Sequence, residues 1–278
     1  MNVAEPIVLG DHKVGRGQPL YIIAGPCVLE DPDEMLETAT ALASICARLD
    51  VGYCFKASYR KDNRTSSDSY RGPGIDDGLR LLDRIKDAVG VPVVTDFHHP
   101  EEADAVAEVA EVLQIPAFLC RQTSLLEAAG RTGRVVNVKK GQFLAAEGMG
   151  QAAGKLRQVG CDRILFTERG SFFGYGDLTV DFRSIQIMRE LGHPVVFDAT
   201  HSVQSPGSTG TTTGGTPRLI PLLARCGMAA GCDLVFLEVH PEPSRAKSDA
   251  GSQLPLEAFE PLVTEMIKFR NLYLEAND

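Results

Sequence analysis

The sequence predicts an α/β fold, a (β/α)8 or TIM barrel preceded by a short N-terminal β-hairpin. Three observations predict it. Short β-rich runs alternate with helix-type stretches eight times along the chain. The alternation recurs every ~35 residues, which suits parallel strands joined by crossover helices. Strand after strand also runs, at its C-terminal side, into a side chain able to do chemistry. In a closed barrel those ends share the face where barrel enzymes place their active sites.

The elements follow in order. Ile7–Leu9 and His12–Val14 flank Gly10-Asp11, a turn signal, and read as a hairpin. Residues 1–17 thus form an extension placed to close the bottom of the barrel, and residues 1–278 read as a single barrel domain. The predicted strands are Leu20–Ala24, Gly52–Ala57, Val91–Phe97, Val112–Pro116, Val135–Lys139, Arg163–Thr167, Pro194–Ala199 and Asp233–Val239. Helix patterns fill Pro32–Leu49, Ile75–Val89, Glu101–Glu111, Ser124–Arg131, Ala152–Val159, Phe182–Leu191, Leu219–Ala230 and Leu256–Leu274. The loop Ser202–Pro217 is rich in Gly, Ser and Thr and follows the seventh strand, where mobile lids are common.

Composition narrows the function classes. The 278 residues carry a formal net charge of −9, which argues against general binding to nucleic acid or anionic membranes. No signal peptide opens the chain, and no apolar run approaches the roughly 18 residues a membrane span needs. The seven cysteines are scattered, with no CxxC pair. A reduced, cytoplasmic protein is expected, with Cys46, Cys54, Cys120, Cys161, Cys226 and Cys232 as small core fillers.

Two constellations stand out. Cys27 follows the first strand, His201 the seventh, Glu238 ends the eighth and Asp249 lies in the loop beyond it. Strands seven, eight and one are neighbours in a closed barrel, so the four can converge. Thiolate, imidazole and two carboxylates suit a borderline divalent ion such as Zn²⁺, Fe²⁺ or Mn²⁺. The second group is basic. Lys56, Arg60, Lys61 and Arg64 sit in and after the second strand, while Arg121, Lys139, Lys140 and Arg169 end strands four to six. Cations crowded on one rim repel unless an anion is bound, and point to a ligand with more than one anionic group.

The motifs Ala24-Gly25-Pro26-Cys27, Phe55-Lys56-Ala57-Ser58, Asn63-Arg64, Tyr70-Arg71-Gly72-Pro73-Gly74, Arg121-Gln122-Thr123, Asn137-Val138-Lys139-Lys140-Gly141-Gln142-Phe143 and Asp198-Ala199-Thr200-His201-Ser202 resemble the 3-deoxy-D-manno-octulosonate 8-phosphate synthases. The matches run nearly the whole chain. The resemblance implies a (β/α)8 barrel, usually a homotetramer. It implies condensation of phosphoenolpyruvate with D-arabinose 5-phosphate, releasing phosphate and feeding lipopolysaccharide synthesis. Cys27 after Gly-Pro implies the metal-dependent class, with His201, Glu238 and Asp249 as its other ligands. Lys139 and Arg169 would bind the phosphoenolpyruvate phosphate. Lys56 and Lys61, with Gln114 and Arg121 nearby, would hold its carboxylate. Asn63 and Asp96 would contact sugar hydroxyls, and Arg64 and Thr65 the sugar phosphate, from a neighbouring subunit. His201, Asp96, Lys61 and Asn63 are the implied catalytic set.

Three departures from the family pattern bear on these roles. Thr65 replaces a Ser but keeps the hydroxyl. His99 stands where an acidic residue is usual. Arg218 is displaced by one position after Gly-Gly. The nearest enzyme alternative is the related synthase using erythrose 4-phosphate, whose loop after strand two is of Lys-Pro-Arg-Thr type. A non-catalytic sugar-phosphate-binding regulator would need a lost catalytic residue, and no matched position is lost.

Overall fold

Runs of β-branched and aliphatic residues become eight strands: β1 Tyr21–Gly25, β2 Gly52–Lys56, β3 Val93–Asp96, β4 Val112–Ile115, β5 Val135–Lys139, β6 Ile164–Glu168, β7 Val195–Asp198 and β8 Leu234–His240. A computed structural model describes residues 5–63, 68–172, 176–206 and 214–277. All eight strands are buried along their whole length, as continuous apolar runs require of a parallel sheet covered on both faces. They pair in parallel and in chain order, and β8 pairs with both β7 and β1. The ring is therefore closed, a (β/α)8 barrel.

Side chains alternate between two apolar layers. Tyr21, Ile23, Cys54, Val94, Val112, Val135, Leu165, Val196, Leu234 and Phe236 point inward. Ile22, Ala24, Phe55, Leu113, Val136, Phe166, Phe197 and Val235 point outward, against the helices. The antiparallel pair Ile7–Leu9 and His12–Val14 adds Ile7, Leu9 and Val14 to the inner layer. The hairpin thus plugs the end of the barrel opposite the strand C-termini.

The helices are α1 Pro32–Arg48, α2 Ile75–Val89, α3 Ala103–Val109, α4 Thr123–Arg131, α5 Met149–Gln158, α6 Arg183–Glu190, α7 Ile220–Ala229 and α8 Phe259–Asn277. At the start of α1, the Asp31 carboxylate accepts the N–H groups of Asp33 and Glu34, with Pro32 at the first helical position. The third helix is shorter than its sequence pattern. Pro100–Glu102 forms a 3-10 turn, and the chain is already extended at Ala110. Leu256–Ala258 is likewise a 3-10 turn before α8. Strand β3 begins late because Pro92 has no N–H for the ladder, although its carbonyl accepts the Phe55 N–H.

The loop after β7 rests on a short ladder, Gln204 opposite Gly215 and Ser205 opposite Gly214. Gly215 is required there, since a Cβ would come within 2.7 Å of the Gly251 carbonyl oxygen. The central part of the loop, 207–213, lies outside the described residues. Among the described residues no helix is long and apolar enough to cross a membrane.

Candidate active site

The strand C-termini surround a cavity of about 700 Å³. Its wall includes Lys56, Lys61, Asn63, Asp96, Gln114, Lys139, Arg169, His201 and Asp249. Arg121 is exposed and lines no part of it. Arg64 and Thr65 lie outside the described residues. Arg218 is also exposed.

One end of the site is built for a cation. Cys27, Glu238 and Asp249 each place a ligand atom within 4.8 Å of the others. His201 directs Nε2 at the same place, 3.5 Å from Glu238 Oε1 and 4.0 Å from Asp249 Oδ2. Closure creates this set, because β8 lies between β1 and β7. Gly25 permits the approach of the Cys27 segment to β2, since a Cβ there would stand 2.2 Å from the Lys56 carbonyl oxygen. Asp249 sits in the left-handed region at φ 50°, unusual for a side chain larger than glycine.

The donor set fits a divalent ion. Glu238 Oε2 is buried with no hydrogen-bond partner among the described residues. Burial, reinforced by Glu238, pushes the Cys27 thiol well up, so the thiolate needs a further positive charge. A bound cation supplies it and reverses that balance. Burial would also raise the Glu238 carboxyl, but His201, Lys56 and Lys61 outweigh it and bring it down to about 2.

Lys56 ties this end together. Its Nζ donates to the Cys27 carbonyl (3.0 Å), Ser58 Oγ (3.1 Å) and Glu238 Oε1 (3.3 Å), which uses all three N–H groups. Ser58 in turn donates to Asp96. Burial works against the Asp96 carboxylate, yet Lys61 and Lys56 prevail and hold it well below the usual carboxylate range. Asp96 is therefore an ionised acceptor.

The opposite end is cationic. Lys139 and Arg169 are both buried. Lys139 donates to Asp198 and lies 3.4 Å from the centre of the Phe236 ring. Burial pushes it down to about 8 against the pull of Asp198. Arg169 donates to Gln204 Oε1 at 2.8 Å, and Gln204 Nε2 donates to Asp249 at 3.0 Å. Asn137 donates to Gln114 and accepts from Thr167, fixing the side-chain amide between them.

The family model described as "DAHP synthetase I family" matches residues 4–273. The chain belongs to that family. Among its relatives in the DAHP synthetase I family, a 2-dehydro-3-deoxyphosphooctonate aldolase from a Cyanothece species is 52% identical over 263 residues, 95% of this chain and 96% of the relative. Proteins of the same name from Desulfatibacillum aliphaticivorans and Desulfosudis oleivorans are 51% and 48% identical, covering 93% and 98% of the chain. They cover 94% and 98% of those relatives.

Sequence reasoning left some contributors unassigned. Ser58 and Asp198 stand within the quoted motifs but take their roles from contacts across strands. Ser248 Oγ lies 3.0 Å from Cys27 Sγ and is marked only by its neighbour Asp249. No carboxylate stands at position 99, and the acidic contact to this segment comes from Glu102, three residues later. Glu102 accepts the N–H groups of His98 and His99 and the hydroxyl of Tyr59. His99 itself is exposed. Of the six cysteines expected as fillers, all but Cys226 are buried, and Cys226 is half-buried.

Proposed function

We propose that the protein condenses phosphoenolpyruvate with D-arabinose 5-phosphate to give 3-deoxy-D-manno-octulosonate 8-phosphate and phosphate. The observation that carries this is one cavity with His201 and Asp249, backed by the buried Cys27 and Glu238, at one end and two buried cations at the other. The full-length similarity to 2-dehydro-3-deoxyphosphooctonate aldolases supports it.

Carbon three of phosphoenolpyruvate attacks the sugar aldehyde and forms the new carbon–carbon bond. Water then adds at carbon two, and the resulting tetrahedral carbon expels phosphate. Lys139 and Arg169 hold the phosphate and neutralise its growing charge as it leaves. Lys61 and Gln114 face the carboxylate, while Lys56, expected in the same role, commits its N–H groups to Cys27, Ser58 and Glu238. Arg121 is left out because it lines no part of the cavity.

Asn63 and the ionised Asp96 accept and orient sugar hydroxyls, so Asp96 positions rather than protonates. Arg64 and Thr65 of a neighbouring subunit hold the sugar phosphate. Cys27, His201, Glu238 and Asp249 hold a divalent metal, which supplies Lewis-acid polarisation of the aldehyde or of water. His201 carries a proton when its Nε2 is free of that duty. The protein works in the cytoplasm as a homotetramer, and its product serves lipopolysaccharide synthesis.

The test is phosphate release from phosphoenolpyruvate with arabinose 5-phosphate or erythrose 4-phosphate, before and after chelation. Release with the five-carbon sugar, lost on chelation and restored by a divalent ion, is expected. Preference for the four-carbon sugar would overturn the reading.

A further inference from the structure

The two ends of the site meet on one oxygen. Asp198 Oδ1 accepts the His201 backbone N–H at 2.8 Å and the Thr200 hydroxyl at 3.1 Å. Its Oδ2 accepts from Lys139 and stands 2.7 Å from His201 Nδ1. That approach is close, yet Nδ1 makes no well-aligned hydrogen bond among the described residues. Two donors thus face Oδ2, and only Lys139 makes a hydrogen bond to it. Asp198 is fully buried, so no water relieves the competition. Lys139, for its part, has Asp198 as its acceptor and the Phe236 face beneath it, leaving N–H groups for an anion.

We infer that Asp198 is a positioning residue that couples anion binding at Lys139 to metal affinity at His201. The inference rests on the reading of Lys139 as a phosphate-binding group. An arriving phosphate draws the Lys139 ammonium off Oδ2. The carboxylate then turns fully to His201 Nδ1–H, fixing the tautomer and making Nε2 a stronger ligand. Linkage makes the effect mutual: a metal on Nε2 polarises Nδ1–H toward Asp198 and frees Lys139 for phosphate.

The experiment measures Mn²⁺ affinity from the electron paramagnetic resonance signal of the free ion, with no sugar present and with or without phosphoenolpyruvate. In the wild-type protein, phosphoenolpyruvate should tighten Mn²⁺ binding by at least about fivefold, the lower end of ordinary coupling. In Asp198→Asn, Mn²⁺ binding alone should weaken by about 10- to 100-fold, and the response to phosphoenolpyruvate should fall to about one. If Asp198→Asn fails to fold, Lys139→Met decides: with the competitor gone, it should bind Mn²⁺ more tightly than wild type, and equal or weaker binding overturns the inference. Coupling of wild-type size in a folded Asp198→Asn overturns it too. So does wild-type Mn²⁺ affinity that ignores bound phosphoenolpyruvate, which leaves the proposed reaction standing. Failure of phosphoenolpyruvate to bind wild type, read by equilibrium dialysis, overturns both.

Discussion

Buried charges occupy both ends of the barrel, and they are treated differently. At the closed end, Arg270 of α8 is 1% exposed and donates to the carbonyls of Gly15, Gln18 and Cys232 and to Asp233. Asp233 also accepts from Arg189 and from the Val195 N–H. The chain itself satisfies this network. At the open end, Glu238 Oε2 has no partner among the described residues, and Lys139 shares one acceptor. The difference separates charge that holds a fold from charge that awaits a ligand. Leaving buried polar atoms unmade costs stability, so such atoms gathered in a cavity mark function.

The contrast can be broken most forcefully by removing one member of each end. Cys27→Ala should lower the turnover rate about a thousandfold or more, the scale of losing metal assistance, with little change in the thermal stability of the metal-free protein. Retained metal affinity in that variant would refute the ligand role. Arg270→Met should do the reverse. It takes the donor from three carbonyls while Asp233 keeps Arg189 and the Val195 N–H, costing at least about 3 kcal/mol of unfolding free energy by denaturant titration, while KM of the folded fraction stays unchanged.

A pH titration sharpens the comparison. Lys139 in the anion-free protein is held near 8, below the ordinary lysine value. Its charge is present below that pH and is lost as pH rises through it. Phosphoenolpyruvate affinity should therefore fall on the alkaline side of about 8. In Lys139→Arg that fall should move to higher pH. The sign for stability is opposite. The lowered folded-state pKa penalises folding below 8 and relaxes between that value and the unfolded lysine pKa. The smallest effect is expected from His99→Glu, less than about twofold on kcat/KM, because Glu102 already caps this segment.

Much of this was legible in the sequence, for physical reasons. Parallel strands buried on both faces write themselves as unbroken apolar runs, so β1 to β8 lie close to their expected places. Residues ending those strands must share a face once the ring closes. This brings Cys27, His201, Glu238 and Asp249 together from the two ends of the chain. What depends on side-chain direction across strands was not legible. Asp198 presents one oxygen to two donors, and no spacing reveals that. Arg121 ends a strand like its neighbours, yet the 3-10 turn Ala117–Leu119 carries it out of the cavity. Arg270 reads as an ordinary helix cation, and only the hairpin and β8 folded beneath it make it a clamp.

The seam between β8 and β1 has a consequence for how the protein is made. Cys27 leaves the ribosome more than two hundred residues before Glu238 and Asp249. No stretch of nascent chain short of β8 carries the full ligand set. With the proposed ligand set, metal capture would report that the ring has shut, and its binding energy would fall on the joint that a partly made barrel lacks. A chain stalled or truncated before its eighth strand would then be left unloaded, which would mark it off chemically from a chain whose ring is closed.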